Sequence, residues 1–230
     1  MKTVAVMQPY IFPYIGYYQL INSVDEFIVF DDVHFITRGW INRNNLLING
    51  EKKLISISLS KASSNRLIKD IEIIDNFEKL LKSITYSYSK SPYFDSVFPL
   101  IEKICTSKNK NLSDFLTMSL VEVSRYIGIE TNFIISSEIE KNQDLRAEDK
   151  IIDICLNRKA DRYINAIGGR ELYNTKNFEK HGLDLKFIQP KLSPYSQYGG
   201  EFIPGLSIID VLMFNHPKEV LRMAGDYDLI

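Results

Sequence analysis

Asp31 and Asp32 end the apolar run Phe27 to Phe30, and His34 follows shortly after. A carboxylate at a strand end can accept a proton, bind a hydroxyl or hold Mg²⁺ beside substrate phosphates. Successive strand residues face opposite sides, so both carboxylates reach one site only if the strand has ended by Asp31. A turn-forming or helix-capping pair is the structural alternative. His34 is the best placed of the three histidines to exchange a proton near neutral pH. Asp31, Asp32 and His34 are therefore the catalytic candidates.

A second cluster, Arg38-Gly39-Trp40-Ile41-Asn42-Arg43-Asn44, sets planar donors around the only tryptophan, without clean helical or strand periodicity. Guanidinium forks match carboxylates and phosphates, Asn reads hydroxyls and carbonyls, and Trp offers a flat face to a sugar or base. Arg38, Trp40, Asn42, Arg43 and Asn44 are candidate binding residues, set against ordinary turn formation and a core tryptophan.

Two loops add further candidates. Gln8-Pro9-Tyr10, Pro13 and Gly16-Tyr17 lie between an apolar run and a helical pattern. Open α/β sheets place ligands there, and unpaired helix N–H groups would favour an anion. Gln8, Tyr10, Gly16 and Tyr17 are the contacts expected, although the spacing is neither that of a dinucleotide fingerprint nor that of a P-loop. The run Ser193-Pro194-Tyr195-Ser196-Gln197-Tyr198-Gly199-Gly200 has the small hinges and large amphipathic side chains of a pocket wall, with Tyr195 and Gln197 as contacts. Ser207 with Asp210 three residues on makes a capping-box pattern. No His pair has metal spacing, and Cys105 and Cys155 fall on apolar helical stripes as expected of inert thiols.

Thr3 to Met7 reads as a buried strand, Gly16 to Asn22 as a short helix and Phe27 to Phe30 as a second strand, which together make a βαβ unit. Leu54 to Leu59 and Ile71 to Ile74 are strand candidates that could pair across a long loop. Residues 76–127 carry helical spacing at Phe77, Leu80, Leu81 and Ile84, at Phe98, Ile101 and Ile104, and at Phe115, Leu116, Leu120 and Val123. Beyond them, strands at Phe133–Ile135, Arg162–Ile164 and Leu183–Ile188 flank a helix at Ile151 to Leu156. The expectation is one α/β domain over 1–230, with a mainly parallel sheet opened by the βαβ unit and a helical lobe around 76–127. The site clusters should converge on one pocket at the C-terminal edge of that sheet.

The composition limits the partners. With 28 basic and 29 acidic side chains, net charge -1 and 45% hydrophobic residues, the chain has no bulk attraction for nucleic acid or anionic lipid. No run is long and apolar enough for membrane insertion, and the strand-like opening is unlike a signal peptide, so a cytoplasmic location is expected.

Met7-Gln8-Pro9-Tyr10, Pro13, Gly16-Tyr17, Asp25, Asp31-Asp32-Val33 and Asn42-Arg43-Asn44 resemble the opening signature of the WbqC-like family. Tyr93-Phe94, Ile154-Cys155, Tyr163, Gly168-Gly169, Tyr173, Pro194-Tyr195-x-Gln197 and Leu206 to Asp210 follow in the same order. One departure is His216, where a glycine is expected after the last helix. The resemblance implies a place among bacterial O-antigen and surface-polysaccharide genes, and so work on nucleotide-activated sugars. The first reading is a transferase moving an acyl or aminoacyl group onto the amine of a nucleotide-linked amino sugar, with that sugar and an acyl or aminoacyl donor as partners. An ATP-dependent adenylylating ligase or nucleotidyltransferase is the second, although Tyr14-Ile15-Gly16-Tyr17 keeps only the glycine of the His-x-Gly-His usual at such a helix start. A non-catalytic sugar-nucleotide-binding or scaffold protein is the third. The residues require no cofactor or metal and are compatible with Mg²⁺ or ATP; they leave the oligomeric state open.

Overall fold

The computed structural model describes residues 1–230. The opening apolar run forms strand β1 (Thr3–Met7), followed by helix α1 (Ile15–Asn22) and strand β2 (Glu26–Val29). β1 and β2 are parallel neighbours with Ala5 opposite Phe27, which is the βαβ unit. A hairpin of β3 (Arg43–Ile48) and β4 (Glu51–Ser56) comes next, then the short strands β5 (Leu59–Ser60) and β6 (Glu72–Ile73). Helices α2 (Glu78–Tyr88), α3 (Phe94–Cys105) and α4 (Leu112–Ile127) fill the middle. The second half runs β7 (Asn132–Ile135), α5 (Ala147–Asn157), β8 (Arg162–Ala166), α6 (Thr175–Lys180), β9 (Asp184–Pro190), α7 (Ile208–Phe214), α8 (Pro217–Ala224) and β10 (Tyr227–Leu229).

Six strands form the central sheet in the order β10-β9-β8-β1-β2-β7, parallel throughout except for β10 against β9. From β1 the chain builds outward through β2 to β7, then returns to the other side of β1 for β8, β9 and β10. This doubly wound order puts its switch point between the C-terminal ends of β1 and β8. The strand period of two divides the core. Ala5, Phe27 and Val29 face a cluster of 45 buried residues shared by α1, the middle helices, α7 and α8. Val4, Val6 and Ile28 face a cluster of 13 with α5 and α6. Helices α2 to α4 therefore have no core of their own; they extend the larger cluster.

Three local expectations change. Leu54 to Leu59 does not simply pair with Ile71 to Ile74: β4 pairs with β3, Ile48 opposite Glu51, and only the two-residue β5–β6 ladder matches the long-loop hairpin. Asn49 and Gly50, both at positive φ (55° and 75°), make the turn, as the twist of a two-residue hairpin requires. Ser207 caps α7 by accepting from the Ile209 N–H at 3.3 Å, yet Asp210 does not close a capping box. Its fully buried carboxylate accepts instead from Tyr88 Oη (2.8 Å), Tyr195 Oη (2.6 Å) and Gln197 Nε2 (2.9 Å). His216 does not follow the last helix; its Nδ1 caps α8, accepting from the Lys218 N–H at 3.2 Å.

The loop between β1 and α1 is tied down through its carbonyls. Asn44, buried in β3, donates through Nδ2 to Ile11 O (2.9 Å) and Phe12 O (2.5 Å). Ser207 Oγ donates to Phe12 O (2.8 Å), and the Ile208 N–H to Pro13 O (2.8 Å). Phe12 is thereby held at φ 42°, a left-handed conformation that a bulky residue adopts only under such constraint.

Asn44→Ala should leave the buried Ile11 carbonyl without a partner and cost roughly 1 to 3 kcal/mol in a denaturant titration. Burial raises the Asp210 pKa against the three donors that lower it. A carboxyl with a raised folded pKa contributes most below its unfolded value, and the contribution fades as pH rises through the folded one. Wild type should therefore lose stability relative to Asp210→Asn as pH is raised upward from the ordinary carboxylate range near ~4, as read by chemical denaturation across a pH series; a flat difference would contradict it.

Candidate functional site

Two clefts open at the C-terminal edge of the sheet, one on each face. The first, of about 370 Å³, sits at the switch point on the α1 face, over Met7 and Ala166. Its wall is aromatic. Tyr10 and Tyr17 meet edge to face at 5.1 Å, and Tyr17 Oη donates to Gln8 O at 2.8 Å. Burial raises the pKa of both phenols, so they stand as neutral groups. Gly16 makes room for the Tyr14 ring over the start of α1: a Cβ there would come to 2.5 Å from the ring and displace it. No side chain caps that helix; the Tyr17 N–H bonds Tyr14 O at 3.0 Å, which leaves those of Ile15 and Gly16 as the open donors of the first turn. Trp40, 53% exposed, stands at the mouth. A planar ring fits such a wall, with the Gln8 amide as a polar contact.

The second cleft, of about 650 Å³, lies on the α5 face beyond the end of β2. Phe30 continues the alternation of Ile28 toward α5, and Asp32 follows it to the same side. Asp32 Oδ2 accepts from Lys141 Nζ and Lys150 Nζ, each at 3.0 Å. Burial pushes the Asp32 pKa up, but the neighbouring Ser136 hydroxyl and the Lys150 and Lys141 ammonium groups outweigh it and hold the carboxyl below its ordinary value. Asp32 is thus a fixed anion and a poor base. Lys150 also donates to Asp32 O at 3.3 Å and lies over the Phe30 ring at 5.4 Å. Gln143, Glu148, Arg146 and His34 complete the polar lining, and Arg146 and His34 are exposed.

Asp31 points the other way. Fully buried, it accepts from the Ser137 N–H (2.9 Å), Ser137 Oγ (2.7 Å) and Ser113 Oγ (3.2 Å), tying the end of β2 to α4 and to the turn after β7. The two carboxylates do not share a site, because residues adjacent in an extended chain diverge.

The expected single pocket is therefore two clefts. Gln8, Tyr10, Gly16, Tyr17 and Trp40 line the first, Asp32 and His34 the second. Residues 33–41 cross the sheet edge between them, with His34 in one cleft and Ile36, Gly39 and Trp40 in the other. The rest of the second sequence cluster supports this segment. Arg43 Nε donates to Gly39 O at 2.8 Å, Asn42 Nδ2 to Ile57 O at 2.9 Å, and Asn44 clamps the β1–α1 loop. Arg38 is exposed, at φ 63°, and lines neither cleft. Tyr195 and Gln197 are bound to Asp210 and lie outside both clefts, so the 193–205 loop is fastened to the core.

Lys141, Arg146 and Lys150 escaped the sequence reading. Lys150 carried a signal: it sits four residues before Ile154 on the buried stripe of α5, where an unpaired lysine would be costly. Cys105 and Cys155 are buried, and burial pushes both thiols up to about 12, far from a thiolate nucleophile at neutral pH. No group of three or more His, Cys, Asp or Glu side chains converges anywhere in the structure, and no helix is long and apolar enough to cross a membrane.

No solved structure matches this chain. A protein of Mycobacterium tuberculosis described as uncharacterized protein Rv1507c is 28% identical over 232 residues, spanning 99% of this chain and 97% of that one. The model of the WbqC-like protein family matches residues 8–222. That match takes in β2, β7, β8 and β9 of the central sheet but not β1 or β10, and all the residues lining the two clefts except Met7, and the chain belongs to the WbqC-like protein family.

Proposed function

We propose that the protein is a cytoplasmic group-transfer enzyme of bacterial surface-polysaccharide (O-antigen, lipopolysaccharide) assembly, which places an acyl or aminoacyl group on the amine of a nucleotide-linked amino sugar. The observation that carries this reading is the aromatic cleft at the switch point, where a doubly wound sheet takes nucleotides. The base or sugar stacks against Trp40 and the Tyr10–Tyr14 wall, while the Gln8 amide and the first N–H groups of α1 meet polar or anionic parts of the substrate. In the transfer the amine nitrogen attacks the acyl carbonyl carbon, the bond to the donor's leaving group breaks, and the amine loses a proton to a base. Asp31 is consumed by serines and Asp32 by lysines, which leaves His34, on the segment joining the clefts, as the group free to take that proton.

A second reading has support from the strand order, since adenylylating enzymes also use a switch-point cleft. It differs in requiring ATP and releasing pyrophosphate.

Mass spectrometry of products from purified protein, given a panel of nucleotide-linked amino sugars with acyl donors, should detect an N-acylated sugar nucleotide without ATP. Formation only with ATP, accompanied by pyrophosphate, would replace transfer by the adenylylating reading; tight binding with no product would leave a binding protein. In the active case, His34→Ala should lower turnover by at least about 100-fold with little change in substrate affinity. Trp40→Ala should instead weaken binding of the nucleotide-linked sugar, by about 1 to 3 kcal/mol in calorimetry if a base stacks there.

A further inference from the structure

The charges at the two ends of β2 differ in a way that points to a ligand. At the N-terminal end Glu26 accepts from Arg158 and Lys2, a carboxylate between two cations whose side chains are 31% and 33% exposed, so water carries the surplus charge. At the C-terminal end Asp32 likewise sits between two cations, but the Lys141 and Lys150 side chains are only 0% and 8% exposed. Here one positive charge in excess is held out of bulk water, an arrangement that costs free energy unless an anion completes it. Asp32 and Lys150 line the 650 Å³ cleft together with Arg146, and Lys141 is buried behind them.

We propose that the α5-face cleft is a second ligand site, for an organic anion whose carboxylate or phosphate head lies against Lys150 and Arg146 and whose apolar body lies against Phe30, Leu172 and Tyr173. The lining supplies both halves of this description. Lys150 and Arg146 are the lining's cations against Asp32 and Glu148, and the Glu148 carboxylate is already taken by Asn177 and the Asn174 N–H. No side chain caps the start of α5, whose first turn lines the cavity, so its N–H groups add to the positive potential. Opposite them Leu172 is 72% exposed, an apolar wall without a protein neighbour to cover it. Under the transfer reading above, this is where the acidic end of the acyl donor would sit. The site itself rests on the buried lysines beside Asp32 and on the lining, independently of what the aromatic cleft binds.

The test is calorimetric titration of the full chain with phenyl phosphate, phenylacetate, inorganic phosphate and the neutral 2-phenylethanol. One of the two aromatic anions should bind at one site per chain, at least about tenfold more tightly than the alcohol and than inorganic phosphate. Which anion wins distinguishes a phosphate head from a carboxylate head. Lys150→Met leaves a neutral Asp32–Lys141 pair, so it should fold with its melting temperature kept and weaken the anion at least about tenfold. Arg146 is exposed, and Arg146→Ala should cost about fivefold in affinity without touching the core; it carries the test if the Lys150 variant does not fold. Trp40 fluorescence reports on the other cleft and should not respond to these probes, whereas a nucleotide-linked sugar should change it, so either site can fail alone. Binding unchanged by either variant, equal binding of the alcohol, or no binding of any anion at millimolar concentration would overturn the proposal.

Discussion

The Asn44 side-chain amide governs the arrangement of this edge of the sheet. The β1–α1 loop has two prolines and three carbonyls turned toward protein, and such carbonyls are costly unless each finds a donor. Asn44, Ser207 and the Ile208 N–H supply those donors from β3 and from the start of α7, elements that belong to different ends of the chain. With the carbonyls fixed, Gln8, Tyr10 and Tyr14 have one position relative to β1, and Gly16 can admit the Tyr14 ring over the helix start. The hairpin has no hydrogen-bonded place in the central sheet. Its role is to carry Asn44 to the loop, and Arg43 to the Gly39 carbonyl beneath Trp40.

Alternation along β2 and its extension explains why neighbouring aspartates have unlike surroundings. Asp31 turns toward the larger cluster and meets hydroxyls and an N–H, a set of neutral donors that satisfies a carboxylate and leaves nothing for a substrate. Asp32 turns toward α5 and meets two ammonium groups from positions 141 and 150, so it stays ionised and serves to hold lysines rather than to move protons. Asp210 is the converse case: three neutral donors surround it, burial dominates, and its pKa moves up. Burial is common to Asp32 and Asp210; beside Asp32 the Ser136 hydroxyl and two ammonium groups outweigh it, whereas the three neutral donors beside Asp210 do not.

Much of the frame was legible because local signals and the fold agree. The apolar run Thr3 to Met7, the helix beginning near Gly16 and the strand ending at Asp31 have short, unambiguous periods, and the βαβ unit follows from them. The hairpin was missed although Asn49-Gly50 is a strong turn signal, because the polar residues Arg43 and Asn44 hide the strand that precedes it. Ser207 and Asp210 have the spacing of a capping box, but the carboxylate meets two tyrosines and a glutamine brought from positions 88, 195 and 197, which no local pattern reveals. The same holds for the cleft on the α5 face. The lysines beside Asp32 lie more than a hundred residues from it in sequence and come beside it only when α5 packs against the face of the sheet that carries Phe30.

A doubly wound sheet offers two faces at its C-terminal edge, and this protein leaves a cavity on each. On the α1 side the lining is aromatic and uncharged, suited to planar rings; on the α5 side it is charged, with Lys150 and Arg146 beside Asp32 and Glu148 and apolar residues among them. Residues 33–41 line both clefts, as does the stretch from Ala166 to Tyr173, and residues 33–41 are pinned from two directions: at one end by backbone pairing of Val33 and Phe35 with residues 66 and 68, at the other by the Arg43–Gly39 contact. A segment so held cannot swing aside as a lid. It fixes the separation between what the two clefts hold, and His34 and Trp40, six positions apart, are set at its two ends. Chemistry that joins two molecules needs this kind of fixed registration more than it needs a mobile cover.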